Sequence, residues 1–224
     1  SAVGDIFNWV VRELLPGAAE KAAKGNPHGY LIRKGLEQKP GGTGLLVLDW
    51  HNGNRTVLVD QNLTGQITGL TLGTRVEDIY RACIEGTAFG ARVIMERLRE
   101  YGVDVESVVT CGGLAEKNPL LMQVYADVLQ VPIKSSRSAQ TCALGAAMCG
   151  AVAGGHFRSV RAAQRAMGGL KKEVYRPKKL HVPVYNELFH MYRRLHDGFG
   201  LEGVVENYFD VMKRLLELRA AARV

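Results

Sequence analysis

The chain has 224 residues, 46% of them apolar and 23% charged, with a formal net charge of +7. This is ordinary for one folded domain with or without an appendage, and it excludes a disordered chain. No run of about 18 apolar residues occurs, so no membrane-spanning helix is expected. The densest basic stretch, residues 171–179, carries no interleaved aromatics and no nucleic-acid-binding motif, so it reads as a solvated linker and no nucleic-acid partner is expected.

Residues 5–15 place Ile6, Trp9, Val10 and Leu14 at helical spacing, and Pro16-Gly17 stops the run. Residues 20–43 predict a short helix and a loop. Residues 44–50 form an apolar run that reads as a strand buried on both faces, followed by turn chemistry at 51–55. Residues 57–59 and 65–72 are further short strand candidates. Thr74 with Glu77 makes a capping box, which predicts a helix carrying Val76, Ile79, Tyr80, Cys83, Ile94 and Leu98 on one face. Its middle is small, with Gly86, Ala88, Gly90 and Ala91. Glycine inside a helix costs roughly 0.5–1 kcal/mol relative to alanine, so its use predicts close backbone packing.

Residues 107–111 predict a β-branched strand that runs straight into Gly112-Gly113. Asn118-Pro119 then opens a helix with Leu121, Val124, Tyr125 and Val128 facing inward, Asn as N-cap and Pro at the first helical position. A strand at 131–133, an Ala/Gly-rich helix at 143–152 and a short helix after Gly154-Gly155 follow. Two amphipathic helices, 184–199 and 205–222, close the chain. Strand, helix, strand, helix predicts an α/β fold with a parallel layer.

Cys83, Cys111, Cys142 and Cys149 form no C-x-x-C pair and no zinc-ligand spacing, and read as small core residues in a reducing cytoplasm. Trp9 and Trp50 read as core anchors. His181, His190 and His196 read as surface or partly buried residues. The first residues lack signal-peptide features and no initiator Met is present, so the chain is expected to begin inside a longer one.

Chemistry concentrates at the junction of strand, Gly-Gly and Asn-Pro helix. In open α/β sheets, ligands bind beyond the carboxyl ends of the strands. Two glycines let a planar or anionic group approach the backbone, and a helix N-terminus adds free N–H groups. Gly112, Gly113, Lys117 and Asn118 are thus candidates for a nucleotide or phosphate site, the plainer alternative being a tight turn with an ordinary N-cap. No Walker-type loop, G-x-G-x-x-G after a strand, H-E-x-x-H or G-x-S-x-G occurs, which disfavours P-loop kinases, dinucleotide dehydrogenases and two hydrolase classes.

The stretch from Gly112-Gly113 through Lys117-Asn118-Pro119 to Ala126-Asp127 resembles the C-terminal signature of the FGGY family of carbohydrate kinases. The segments Asp49-Trp50-His51-Asn52-Gly53-Asn54-Arg55, Tyr80 to Gly90 and Gln140 to Ala147 fit the same family. Other members carry a shorter Gly-Glu-Arg where this chain has Asn-Gly-Asn-Arg, which narrows the resemblance to one pentulose-kinase branch. The resemblance implies an actin-like ATPase (ribonuclease H-like) domain with a mixed sheet flanked by helices, plus C-terminal helices. It implies a nucleotide-binding domain over residues 1–199 and a helical extension over 200–224. It also implies ATP and Mg²⁺, a separate N-terminal kinase domain as partner, a sugar in the cleft between the two domains, and a cytoplasmic enzyme. Gly112 and Gly113 would lie against the adenine, Asn118 near the base or ribose, and Lys117 and Gly4 at the border of the nucleotide.

The family's general base sits in a Gly-x-x-Asp-Ala-His stretch, which this chain does not contain, so no catalytic residue and no metal ligand is assigned in it. Asp60 and Asp127 read as solvated or structural, and Asp49 as pairing or capping with Arg55 in the Asn-Gly-Asn loop. A kinase for another pentulose and a nucleotide-binding module without catalysis remain alternatives. A domain lacking its partner would expose an apolar face, so self-association is expected.

Overall fold

Helix α4, Val76–Glu100, is the central element of the computed structural model, which describes residues 3–223. Its buried face runs through Val76, Tyr80, Cys83, Ile84, Phe89 and Val93, whereas Leu98 on the last turn is exposed. The helix starts one residue later than the Thr74/Glu77 box predicts. The Asp78 carboxylate accepts from the Arg75 N–H at 2.9 Å, while the Thr74 hydroxyl accepts from Thr71 N–H and closes the preceding turn. The predicted close packing at its small residues is present. A Cβ on Gly86 would lie 2.6 Å from the Val47 carbonyl oxygen, and one on Gly90 would lie 2.9 Å from the Asp49 carboxylate.

Val47 and Asp49 belong to β1, Leu46–Leu48, and the residues just after it. Positions 45 to 50 are all buried, as an apolar run without alternation requires. β1 pairs antiparallel with β2, Gln66–Thr68, in the register Leu46↔Thr68. Residues 57–59 form no strand, because Asn54 Oδ1 accepts from the N–H groups of Val57 and Leu58 and holds this stretch in a loop.

A second sheet has the order β3-β4-β5. β3, Val108–Thr110, runs parallel to β4, Ile133–Ser136. β5, Leu170–Tyr175, pairs antiparallel on the other side of β4. The basic stretch is therefore half strand, not a solvated linker: its backbone completes the sheet while Lys171 projects to Glu116 at 2.7 Å. The element order predicts the α/β class and the parallel β3–β4 pair, and the mixed sheet is the one that the family resemblance implies.

Helices surround these sheets. α1, Val3–Trp9, continues as a π-helical turn, Val10–Leu14, and α2, Gly17–Ala23, and α3, Pro27–Leu36, occupy the region expected to hold one helix and a loop. A short helix α5, Gly113–Lys117, precedes α6, Pro119–Leu129. α7, Thr141–Ala153, and α8, Val160–Met167, pack on each other, and within α7 only Met148 is buried. α9, Val182–Gly200, and α10, Val211–Arg223, close the chain. α10 joins the core through Val211, Leu215 and Leu218.

Three side-chain expectations change. Only Cys83 is a core residue; Cys111, Cys142 and Cys149 are exposed, the last two because α7 presents its apolar surface outward. His196 is 2% exposed, one turn beyond the buried Tyr192 on the same face of α9. Asp49 is bonded to Tyr192 rather than to Arg55, whose side chain is exposed. Asp127 is structural, as expected. It is buried and accepts from Gln123 Nε2 and Lys178 N, with His181 Nδ1 at 2.7 Å. No helix among the described residues is long and apolar enough to cross a membrane.

Candidate functional site: a pocket between two Asn-Pro helix starts

β3 ends at Thr110, and the chain turns through Gly112, whose φ of 91° is open to glycine and strained for other residues. α5 follows, and Asn118 then opens α6, its Oδ1 accepting from Leu121 N at 3.0 Å with Pro119 at the first helical position. Across a gap, Asn26-Pro27 opens α3 in the same way, Asn26 Oδ1 accepting from Gly29 N at 2.9 Å. Between the two helix starts lies a pocket of about 630 Å³.

Gly113, Lys117 and Asn118 line this pocket, and so does Gly4 from the first turn of α1, more than a hundred positions away in sequence. Gly112 is not among the lining residues; it shapes the turn that delivers Gly113. A Cβ on Gly113 would meet no atom within 4 Å, so its missing side chain leaves space for a ligand. The volume is within the range of small-ligand pockets, roughly 300–1,000 Å³.

The remaining polar lining is Asn8, Asn26 and His28, with Tyr80 behind. His28 Nδ1 lies 3.2 Å from the Tyr80 hydroxyl and Nε2 lies 3.2 Å from Asn8 Oδ1. Burial lowers the His28 pKa below the ordinary imidazole value of 6.5, so the ring is neutral at pH 7. Both ring nitrogens thus lie within hydrogen-bonding distance of a protein partner, and the ring links Asn8 to Tyr80.

Asn118 is 1% exposed, and its Nδ2 has no hydrogen-bond partner. A buried, unpartnered amide donor costs about 1–3 kcal/mol unless something fills it. It belongs to a pocket-lining residue, so a ligand acceptor is the natural partner. None of the lining residues is Asp or Glu, and two helix N-termini add partial positive charge. The pocket thus suits an anionic, acceptor-bearing ligand and offers no carboxylate to a divalent cation. Among the described residues, no cluster of three or more His, Cys, Asp or Glu could hold a metal.

Composition signals did not mark Asn8, Asn26, His28 or Tyr80. The one available sign was the second Asn-Pro dipeptide at 26–27, identical to that at 118–119.

A separate cavity of about 210 Å³ lies where β1 ends, lined by Asp49, Trp50, Asn54, Arg55, Tyr125 and His196 among others. Burial pushes the Asp49 carboxyl up to about 6 despite the Tyr192 hydroxyl that donates to it.

Residues 1–154 match the FGGY family of carbohydrate kinases, C-terminal domain. The chain is 47% identical over 230 residues to a ribulokinase of Anoxybacillus flavithermus, covering 100% of this chain and 40% of that relative. Among solved structures, a xylulose kinase from Rhodospirillum rubrum is 26% identical with a TM-score of 0.71, over 86% of this chain and 37% of that one. A gluconate kinase from Lactobacillus acidophilus shares the fold with a TM-score of 0.74 at 22% identity, over 89% of this chain and 38% of that one. The chain thus spans about 40% of the length of the curated relatives it matches. The family match over residues 1–154 includes the Gly113–Asn118 wall of the pocket, and the chain belongs to the FGGY family of carbohydrate kinases, whose C-terminal domain it carries.

Proposed function

We propose that this chain is the nucleotide-holding part of an ATP-dependent kinase that phosphorylates ribulose to ribulose 5-phosphate, serving arabinose breakdown in the cytoplasm. Residues 1–199 would form the nucleotide domain and 200–224 its helical extension. The observation that carries the reading is the pocket that gathers Gly4, Gly113, Lys117 and Asn118, with the unpartnered Asn118 amide among them. Ribulokinases at 41–47% identity support ribulose as the sugar.

In this reading the purine lies in the pocket over Gly113, and its phosphates extend past Lys117 towards a cleft shared with an N-terminal domain. That domain would supply the general base and the loop around the phosphates. Phosphoryl transfer needs base, sugar and γ-phosphate in one closed site. A sugar hydroxyl oxygen bonds to the γ-phosphorus, the bond to the ADP oxygen breaks, and the hydroxyl proton passes to the base. Mg²⁺ would come with the phosphates, since the pocket itself has no carboxylate for it.

The test is phosphorylation of ribulose by the full-length protein, followed by coupled ADP release, with Asn118→Ala and Gly113→Leu beside it. A rise in the KM for ATP with the KM for ribulose unchanged is expected. An unchanged KM for ATP in both variants refutes the placement of the nucleotide, and absence of ribulose turnover refutes the substrate.

A further inference from the structure

The pocket wall that carries Gly113 and Lys117 is α5, a helix of five residues. A helix this short is unstable on its own in water. It is secured at its ends, by β3 through the Gly112 turn and by the buried Asn118. Along its length there is less to hold it. Gly113, Leu114, Glu116 and Lys117 are all exposed, and its N-cap is Gly112, which has no side chain to offer.

Among the described residues, one side-chain hydrogen bond reaches α5 from another part of the fold. Lys171 Nζ donates to Glu116 Oε1 at 2.7 Å, across 55 positions of sequence. This bond also holds the Glu116 carboxyl below the ordinary carboxylate value. The two ends of the tie differ in firmness. Lys171 stands on β5, whose backbone pairs with β4 through Leu170 before it and through Val174 and Tyr175 after it. Arg137 N donates to the Gly169 carbonyl at 2.9 Å and Arg137 Nη2 to that of Gly168 at 2.8 Å, which fixes the entry to β5 as well. Glu116 stands on the exposed turn, beside Lys117. Neither partner of the pair lines the pocket itself.

We infer that the Glu116–Lys171 pair is a latch that holds the Gly113–Lys117 wall where it binds the nucleotide, which makes both of them positioning residues. The inference rests on the nucleotide reading above. Exposed pairs couple weakly, by a factor of about two to five in an equilibrium. On a wall with few other ties, that factor is read in ligand affinity. The sign of the effect at Glu116 separates a latch from plain electrostatics. A carboxylate near an anionic ligand repels it, so by charge alone Glu116→Gln tightens binding, whereas loss of a latch weakens it.

The experiment measures the dissociation constant of ATP for the full-length protein by competition against a fluorescent ATP analogue. The variants are Glu116→Gln, Lys171→Met, the double variant and Lys171→Arg. Each neutralised single variant is expected to weaken ATP about two- to fivefold. The double is expected to lose no more than Lys171→Met alone, since one interaction is removed only once. Lys171→Arg keeps the charge and is expected to lose less than either. The KM for ribulose and the thermal midpoint are expected to stay as in wild type. Tighter or unchanged binding in Glu116→Gln overturns the inference, and so do losses that add in the double variant. Gly113→Leu projects a side chain into open space in the pocket without an internal clash. If it weakens ATP while the pair variants do not, the nucleotide reading stands and the latch falls. If it changes nothing, both fall together.

Discussion

The Tyr192 hydroxyl donates to Asp49 Oδ1 at 3.1 Å, joining α9 to the end of β1 across 143 positions of sequence. The bond favours the carboxylate, but the loss of hydration is the larger effect, and the Asp49 pKa rises to about 6.

Because the folded pKa exceeds the unfolded value of 3.8, the stability that this group contributes is full below about pH 3.8 and is lost as pH rises through about 6. At about 1.4 kcal/mol per pKa unit the loss approaches about 3 kcal/mol. Asn at position 49 keeps an acceptor for Tyr192 and never ionises. Asp49→Asn is expected to be more stable than wild type by about 1–3 kcal/mol at pH 8, with the gap closing towards pH 4. Urea unfolding of both proteins at pH 4, 6 and 8 checks this, and a gap that does not vary with pH would contradict it. Burial lowers the pKa of His28, His51 and His196, so they act in the opposite sense and are lost as pH falls. They are common to both proteins and cancel in the difference.

Arg81 is 3% exposed and lies 2.9 Å from the equally buried Glu85. Its Nη1 also donates to the carbonyls of Gly35 and Gln38, and its Nη2 to the Tyr185 hydroxyl, which in turn donates to Glu85. The guanidinium thus ties α3, α4 and α9. Arg81→Leu strands Glu85 in the core, and a loss of about 3–5 kcal/mol is expected by denaturant unfolding. A change below about 1 kcal/mol would show that water reaches Glu85.

Asn118→Ala removes the cap of α6 and is expected to cost about 1 kcal/mol, whereas Asn118→Ser keeps a capping oxygen without burying a charge and costs less. Thermal melts of the two variants separate this structural role from ligand binding. Equal losses would mean that Oδ1 does not cap the helix.

The thiols divide three to one. Cys111, Cys142 and Cys149 are exposed, while Cys83 is buried with its pKa pushed up to about 12. Titration of the native 224-residue chain with an aromatic disulfide reagent should release three equivalents quickly and the fourth only on unfolding. Slow release of Cys142 and Cys149 at high protein concentration, but not at low, would show that the α7 surface is covered by self-association.

The 224-residue chain alone is expected to bind ATP with a Kd of about 1 mM or weaker, about −4 kcal/mol, and to transfer no phosphate. Calorimetry checks the first part. A tight isotherm would mean that this domain holds the whole nucleotide.

The sequence pattern was most legible where local chemistry and tertiary structure agree. Asn118-Pro119 reads as a helix start and is one, and the glycines of α4 read as a close approach and meet Val47 and Asp49. It was least legible where a partner far away decides the outcome. Residues 170–175 look like a charged linker because Lys171, Lys172 and Glu173 are consecutive and charged; only pairing with β4 makes them a strand. Cys142 and Cys149 look like core residues because α7 is apolar on every side, and periodicity cannot say which side is covered. In the pocket, the Gly113–Asn118 wall was visible as a contiguous motif. The opposite wall comes from Asn8, Asn26, His28 and Tyr80, which share no spacing and are assembled only by packing.

The glycines at 86 and 90 also set how stiffly the molecule responds. Without Cβ atoms there, α4 seats on the Val47 carbonyl of β1 at Gly86 and on the Asp49 carboxylate just after it at Gly90, so neither element can slide along the other without collision. Tyr80 sits ten positions before Gly90 on the same helix, about 15 Å along its axis, and braces His28 at the pocket wall. Helix and strand therefore form one girder, with the Asp49 cavity at one end and the pocket wall at the other. A push on either end would be carried along it as rigid displacement rather than absorbed by local give.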